Sequence, residues 1–215
     1  AKVFHKFPKI NARVFLMLGF PGETFRMVRD TYEVAREMDM DWSMITPLQP
    51  LPNTPIFQAK DAVEFEEIRF KLGAHGKQRK STEKHVNVFS TNFETAFDHD
   101  PEAIPTKDEI NTLWAYMNYH LNFRRLFFEN RPQKLTQKLQ YVQNISDLVA
   151  PENSFAMYFC GFLQQKVQGS IDPHLIVNLE ARLASSPYWT DRFRDFRLSV
   201  DHLKTAQFPT FERPQ

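Results

Sequence analysis

The chain has 215 residues, 42% of them hydrophobic and 14% aromatic, with a formal net charge of +1. That is ample apolar material for one large or two small cores and excludes a disordered chain. A charge this close to zero leaves no long-range field to gather nucleic acid or an anionic membrane surface, so the short basic clusters Lys77-Gln78-Arg79-Lys80 and Arg124-Arg125 read as solvated surface. The one cysteine, Cys160, rules out an internal disulfide framework. No apolar run approaches the roughly 18 residues of a membrane span, and no charged-then-apolar signal segment opens the chain. The expectation is a soluble, cytoplasmic protein with no nucleic-acid or membrane partner.

Along the chain, Val14-Phe15-Leu16-Met17-Leu18 is a continuous apolar run of strand length, the pattern of a strand buried on both faces of a parallel sheet. Gly19 and Gly22 supply the backbone freedom that an abrupt strand-to-helix turn demands. Thr24 can cap the helix that follows, and Phe25, Val28, Tyr32, Ala35 and Met38 form one apolar stripe at helical spacing. Trp42, Met44 and Ile45 lead a second strand. The pattern predicts adjacent parallel strands over 13–18 and 42–47, bridged by a helix over about 24–38, a β-α-β unit filling about residues 12–48. A right-handed crossover puts both post-strand turns on one edge, where parallel α/β folds bind ligands.

Pro50, Pro52 and Pro55 preclude a regular helix after the second strand. The segment 56–72 has room for one or two helices, 86–89 for a short strand, and 91–105 reads as loop. Thr106-Lys107-Asp108-Glu109 is a capping box, followed by the stripe Ile110, Leu113, Trp114, Met117 and Leu121. That helix is expected to end near Asn130, because Pro132 disfavours helical geometry in the residue before it. Further helices are predicted at about 132–148, 152–168, 173–185 and 187–203. Asp172-Pro173 and Ser186-Pro187 each pair a capping residue with proline at the first helical position. Trp189, Phe193, Phe196, Val200 and Leu203 make the last stripe, and the tail from Thr205, with Pro209 and Pro214, reads as irregular. Helices of this length on short links pack as antiparallel hairpins, in a small bundle or a short superhelical array.

The apolar strand, the turn Gly19-Phe20-Pro21-Gly22-Glu23-Thr24, the amphipathic helix, the second strand and the loop Pro50-Leu51-Pro52-Asn53-Thr54-Pro55 together resemble the last two strand-helix units of radical S-adenosylmethionine (SAM) enzymes. The likeness covers roughly residues 1–60 and is closest to the group whose members often carry an N-terminal cobalamin-binding domain. Asn53 departs from the family's usual glycine, but asparagine tolerates left-handed backbone. The resemblance implies an α/β fold comprising the C-terminal strand-helix units of a partial, TIM-barrel-like (β/α) barrel with parallel strands, followed by an all-α helical domain. The implied boundaries are 1–60 for the barrel end, 61–105 for a connector and 106–215 for the helical domain.

The family's iron–sulfur centre, a 4Fe–4S cluster that binds SAM through an open iron, sits on a loop with three cysteines, and thiolates are the standard ligands of such clusters. Cys160 alone cannot hold it, and the chain begins at Ala1 with a segment resembling the end of a preceding barrel helix. The expectation is therefore a C-terminal fragment, partnered by the N-terminal remainder of the same protein and a small-molecule substrate and inactive without that remainder. The implied cofactors are SAM and the 4Fe–4S cluster in the parent enzyme, with cobalamin as a further cofactor of that group. The family's fifth strand and turn flank the SAM adenine, which carried to this sequence points to Leu16, Leu18, Gly19 and Phe20. Glu23 matches the family's turn glutamate, where a structural role at the helix start weighs equally with ligand contact. Pro47 and Leu48 stand where the sixth strand brings backbone polar groups to the adenine edge. The complete enzyme would cleave SAM reductively and use the 5′-deoxyadenosyl radical for methyl transfer, cyclisation or rearrangement.

Other constellations read as structural. Asp98-His99-Asp100 reads as a solvated acidic loop rather than a metal site, Cys160 between Phe159 and Phe162 as a buried, inert thiol, and Tyr116, Asn118, Tyr119, His120, Asn122 and Arg124 as a helix surface face before a substrate lid. Two other functional classes remain. One is a helical-hairpin protein-interaction module without catalysis. The other is an ordinary nucleotide-binding α/β protein, weakened by the lack of a phosphate fingerprint.

Overall fold

The computed structural model describes residues 6, 7, 9–49 and 86–211. The chain divides into two compact units, Ala12–Asn118 and Tyr119–Gln215 together with Ala1–Asn11. The division falls after Asn118, so the helix behind the Thr106 capping box belongs with the strands and not with the later helices.

In the first unit, strands β1 (Arg13–Leu18) and β2 (Trp42–Pro47) form a parallel pair in the register Leu16↔Ile45 and Leu18↔Pro47. Helix α1 (Phe25–Met38) joins them, capped by Thr24, whose Oγ1 accepts from the Met27 N–H at 3.4 Å. It ends on Asp39 in the left-handed region. Phe25, Val28, Tyr32 and Ala35, four of the five residues of the predicted stripe, are the buried residues of α1, while Met38 at its end is half-buried.

Burial on both faces of β1 is not what the structure has. Phe15 is 78% and Met17 43% exposed, while Leu18, two positions from Leu16 on the alternate face, is fully buried. An all-apolar run carries no period-two signal, so the open face was invisible in the sequence.

Segment 86–105 also departs from expectation. Instead of a strand there is one antiparallel bridge, Val86↔Phe97, and a one-turn helix α2 (Phe93–Ala96) interrupts the expected loop, capped by the Asn92 side chain. The predicted helices at 56–72, the Pro50–Pro55 loop and the Lys77–Lys80 cluster lie outside the described residues. Helix α3 (Lys107–Asn118) packs on β2, where the Trp114 Nε1–H donates to the Ile45 carbonyl at 2.9 Å. Tyr32, Phe93, Phe97 and Tyr116 form the aromatic core of this unit, with Tyr116 5.4 Å from Tyr32 and 5.1 Å from Phe97.

The second unit opens with a π turn, Tyr119–Phe123, and a 3₁₀ turn, Arg124–Phe128. The surface-face reading of this stretch is corrected, since Tyr116, Asn118, Tyr119, His120, Asn122 and Arg124 are all buried. From Tyr119 a π turn places an extra residue in the turn, so the helix face does not carry through unchanged. Arg124 is no solvated cation either, its guanidinium lying 5.8 Å from the Phe128 ring centroid and 5.6 Å from that of Phe211.

Helices α4 (Pro132–Asn144, continued by a π turn over Ile145–Val149), α5 (Ser154–Gln168), α6 (Pro173–Ser185), α7 (Pro187–Asp195) and α8 (Val200–Thr205) follow. Successive members of α4 to α7 pack against one another. The expected single helix over 187–203 is two, broken where Arg197 takes a positive φ of 55° and Ser199 starts a new cap. Asp172 caps α6 as expected, accepting from the His174 N–H, whereas the Ser186 side chain makes no cap bond to α7.

Candidate functional site

The two strands end on one edge, and the turn that follows β1 is held by a single carboxylate. Gly19 and Gly22 take positive φ values of 88° and 78°, and the Glu23 N–H closes a turn onto the Phe20 carbonyl at 3.0 Å. One Glu23 oxygen accepts from the Gly19 N–H, in a short bond, and from the Phe20 N–H at 3.3 Å. Glu23 is only 8% exposed. Its carboxylate therefore points into the turn and staples it, the structural half of the choice left open by the sequence.

All seven predicted site residues converge on this edge. Leu18 and Pro47 are register partners, and the Leu48 N–H continues the ladder onto the Leu18 carbonyl at 2.6 Å. Their accessibility differs. Leu18 and Gly19 are buried, Leu16, Pro47 and Leu48 half-buried, and Phe20 45% exposed. The N–H groups of Gly19, Phe20 and Leu48 are all committed within the fold, and Pro47 has none. The accessible side chains at this edge are apolar, a ledge of Phe20, Pro47 and Leu48 with Leu16 one register step back.

The start of α1 is no anion site. The Phe25 N–H donates to the Ala103 carbonyl at 3.0 Å, that of Arg26 to the Pro101 carbonyl at 2.9 Å, and that of Met27 to Thr24. An N-terminus whose donors are already bound has little to give a phosphate, which counts against the ordinary nucleotide-binding alternative.

Two neighbours of the turn were missed in the sequence. A Cβ on Gly19 would stand 3.8 Å from Ile110 Cδ1, so α3 lies directly beside the turn. The loop 97–106 brings in His99, whose side chain is 2% exposed and not solvated as expected. Its Nε2 lies 2.9 Å from Glu109 Oε1, and its ring packs 4.6 Å from that of Phe25. The other Glu109 oxygen accepts from the Thr106 N–H at 2.8 Å, completing the capping box. A strongly patterned helix start at Thr106 did signal Glu109; nothing local in Asp98-His99-Asp100 signalled a buried imidazole. Among the described residues no group of three or more metal-ligating side chains is assembled.

Cys160 is 1% exposed in α5, and burial pushes its thiol up to about 12. A 4Fe–4S cluster needs several thiolates, so the residues of this chain do not fit that group. No helix among the described residues is long and apolar enough to cross a membrane. No protein-family model, curated protein or solved structure matches the chain.

Proposed function

We propose that the strand-bearing unit forms part of the SAM adenine wall of a radical SAM enzyme, as the end of a partial (β/α) barrel, with the cluster cysteines supplied by another part of the parent protein. The observation that carries this reading is the strand-end edge itself. There β1 ends in a Glu23-stapled turn beside the end of its parallel partner β2, leaving an apolar ledge without a free charge. Such a ledge favours a planar base over a phosphate. Phe20 would cover one face of the adenine, Leu16, Pro47 and Leu48 would bound its edge, and Leu18 with Gly19 would hold the ledge from behind. Bound SAM would supply the radical chemistry in the parent enzyme. This chain's residues orient the base and exclude water from it. The small-molecule substrate, a role for cobalamin and a lid formed by the helical unit belong to the same proposal.

The test is saturation-transfer NMR on 5′-deoxyadenosine with the intact chain. Transfer should be strongest to the adenine protons and weak to the ribose, and Phe20→Ser should abolish it while the melting curve is retained. Equal transfer to base and ribose, or transfer that survives Phe20→Ser, rejects the site.

The alternative, a helical protein-interaction module, draws on the exposed Leu148, Val149 and Val177 of the second unit, at 78%, 62% and 61%. It predicts a protein partner and no adenosine binding.

A further inference from the structure

A second candidate site lies wholly within the helical unit, in a cavity of about 590 Å³ bounded by the end of α4, the π turn after it, α5 and α6. Its volume falls in the range of small-molecule sites. Adjacent helices ordinarily close on each other through apolar ridges. Here α6 turns the stripe His174, Asn178, Arg182 and Ser185 toward the cavity, four polar residues at spacings of four, four and three. Leu179 is its one buried residue. A stripe of this kind keeps the space open to water and polar solutes.

The walls are fixed in advance. At Gly161 α5 meets α6 and its preceding loop so closely that a Cβ would lie 3.2 Å from Leu175 and 3.3 Å from Ile171. The Gln164 side chain accepts from the Asp172 N–H at 3.0 Å, and Asp172 in turn caps α6. Two opposite charges line the cavity, Asp147, exposed on the π turn, and Arg182, half-buried on α6. Among the described residues neither side chain has a hydrogen bond or an ion pair. Met157 and Cys160, both buried, line its floor on α5.

An unpaired guanidinium that is half-buried gains most from a carboxylate, which it can bind bidentately, and a lone carboxylate gains from an ammonium donor. We infer that this cavity binds a small zwitterion of amino-acid to dipeptide size, its carboxylate on Arg182 and its ammonium on Asp147, over the Met157–Cys160 floor. The inference is independent of the radical SAM reading, since no residue of the strand-bearing unit takes part.

The intact chain, labelled with ¹³C at the methionine methyls, is titrated with alanyl-alanine, with its N-acetylated form, which keeps only the negative end, and with its C-terminal amide, which keeps only the positive one. The Met157 methyl should shift and saturate with the dipeptide, while Met17 and Met27 stay still. Each singly charged probe should bind about tenfold more weakly or worse, the loss expected for one charge-assisted contact. Asp147→Asn and Arg182→Gln should each impose a similar loss, Asp147→Asn leaving the N-acetylated probe unaffected. A Met157 methyl unmoved by alanyl-alanine at millimolar concentration, or one moved equally by all three probes, overturns the inference without recourse to any variant.

Discussion

Replacing Glu23 by alanine should unstaple the turn after β1, and the cost can be worked from its two bonds. The Gly19 N–H is buried and would lose its only acceptor, while the N–H of half-exposed Phe20 can turn to water. A hydrogen bond to a charged group contributes about 1.5–3 kcal/mol, and an orphaned buried donor costs about 1–3 kcal/mol. Since these describe the same lost contact at Gly19, the sum is about 2–3 kcal/mol for the strand-bearing unit and not twice that. For a unit of roughly 100 residues this lowers the midpoint by about 10–20 °C. Glu23→Gln keeps an oxygen in place and should cost about 1 kcal/mol. Urea unfolding, read with hydrogen exchange at the Gly19 amide, measures both. Exchange at Gly19 should accelerate in step with the lost stability, and the second unit should be unaffected. If Glu23→Ala stays within about 0.5 kcal/mol of the parent and leaves Gly19 exchange unchanged, the staple is not what holds the turn.

Three further outcomes follow from other parts of the molecule. Gly19→Ala meets no steric wall, the nearest atom to a new Cβ being 3.8 Å away, so its expected loss of about 1–2 kcal/mol comes from the positive φ alone and should be partly recovered by Gly19→Asn in equilibrium unfolding. Gly161→Ala places a Cβ 3.0 Å from Leu203 in a packed interior, and overpacking by about 1–3 kcal/mol should outweigh its gain in helix propensity; a stabilised variant would contradict the close approach of α5 to α6 and α8. His202 Nδ1 accepts from the Ser199 N–H at 3.3 Å and from the Tyr158 hydroxyl at 2.9 Å, and burial lowers its pKa, so the neutral ring is the native form. Its contribution is therefore intact above the ordinary histidine pKa of about 6.5 and is lost as pH falls below that value toward the folded pKa. His202→Gln should flatten the stability profile across that window, and an unchanged slope would assign the acid sensitivity elsewhere.

How far the fold could be read in advance depended on whether each signal was local. The β-α-β unit was legible because its evidence is carried by neighbours in sequence, in glycines at the turn, Thr24 at the cap and a stripe every three or four residues, and its strand limits agree with the structure. The capping box at Thr106 and the Asp172 cap before Pro173 were legible for the same reason. The break at 196–199 was hidden, because Phe196, Val200 and Leu203 continue the apolar stripe across it and no glycine marks Arg197. The burial of His120, Asn122 and Arg124 occurs across a π turn and the 3₁₀ turn after it, neither of which has a sequence period of its own. At the candidate site, convergence of Leu18, Pro47 and Leu48 was implied by parallel pairing, but the packing of α3 beside Gly19 and β2 was not, since Ile110 and Trp114 come from a distant stretch of chain. The sheet face bearing Phe15 was unreadable in a run apolar at every position from Val14 to Leu18.

The central claim is that the strand-end ledge receives adenine, and a titration of the intact chain, ¹³C-labelled at its leucine methyls and phenylalanine rings, with SAM tests it most directly. The Leu16 and Leu48 methyls and the Phe20 ring should shift together along one binding curve, with adenosine reproducing the shifts and methionine not. The methyls of Leu139 and Leu163, buried in the helical unit, should not move. Shifts confined to the helical unit, or shifts reproduced by methionine alone, would contradict the account.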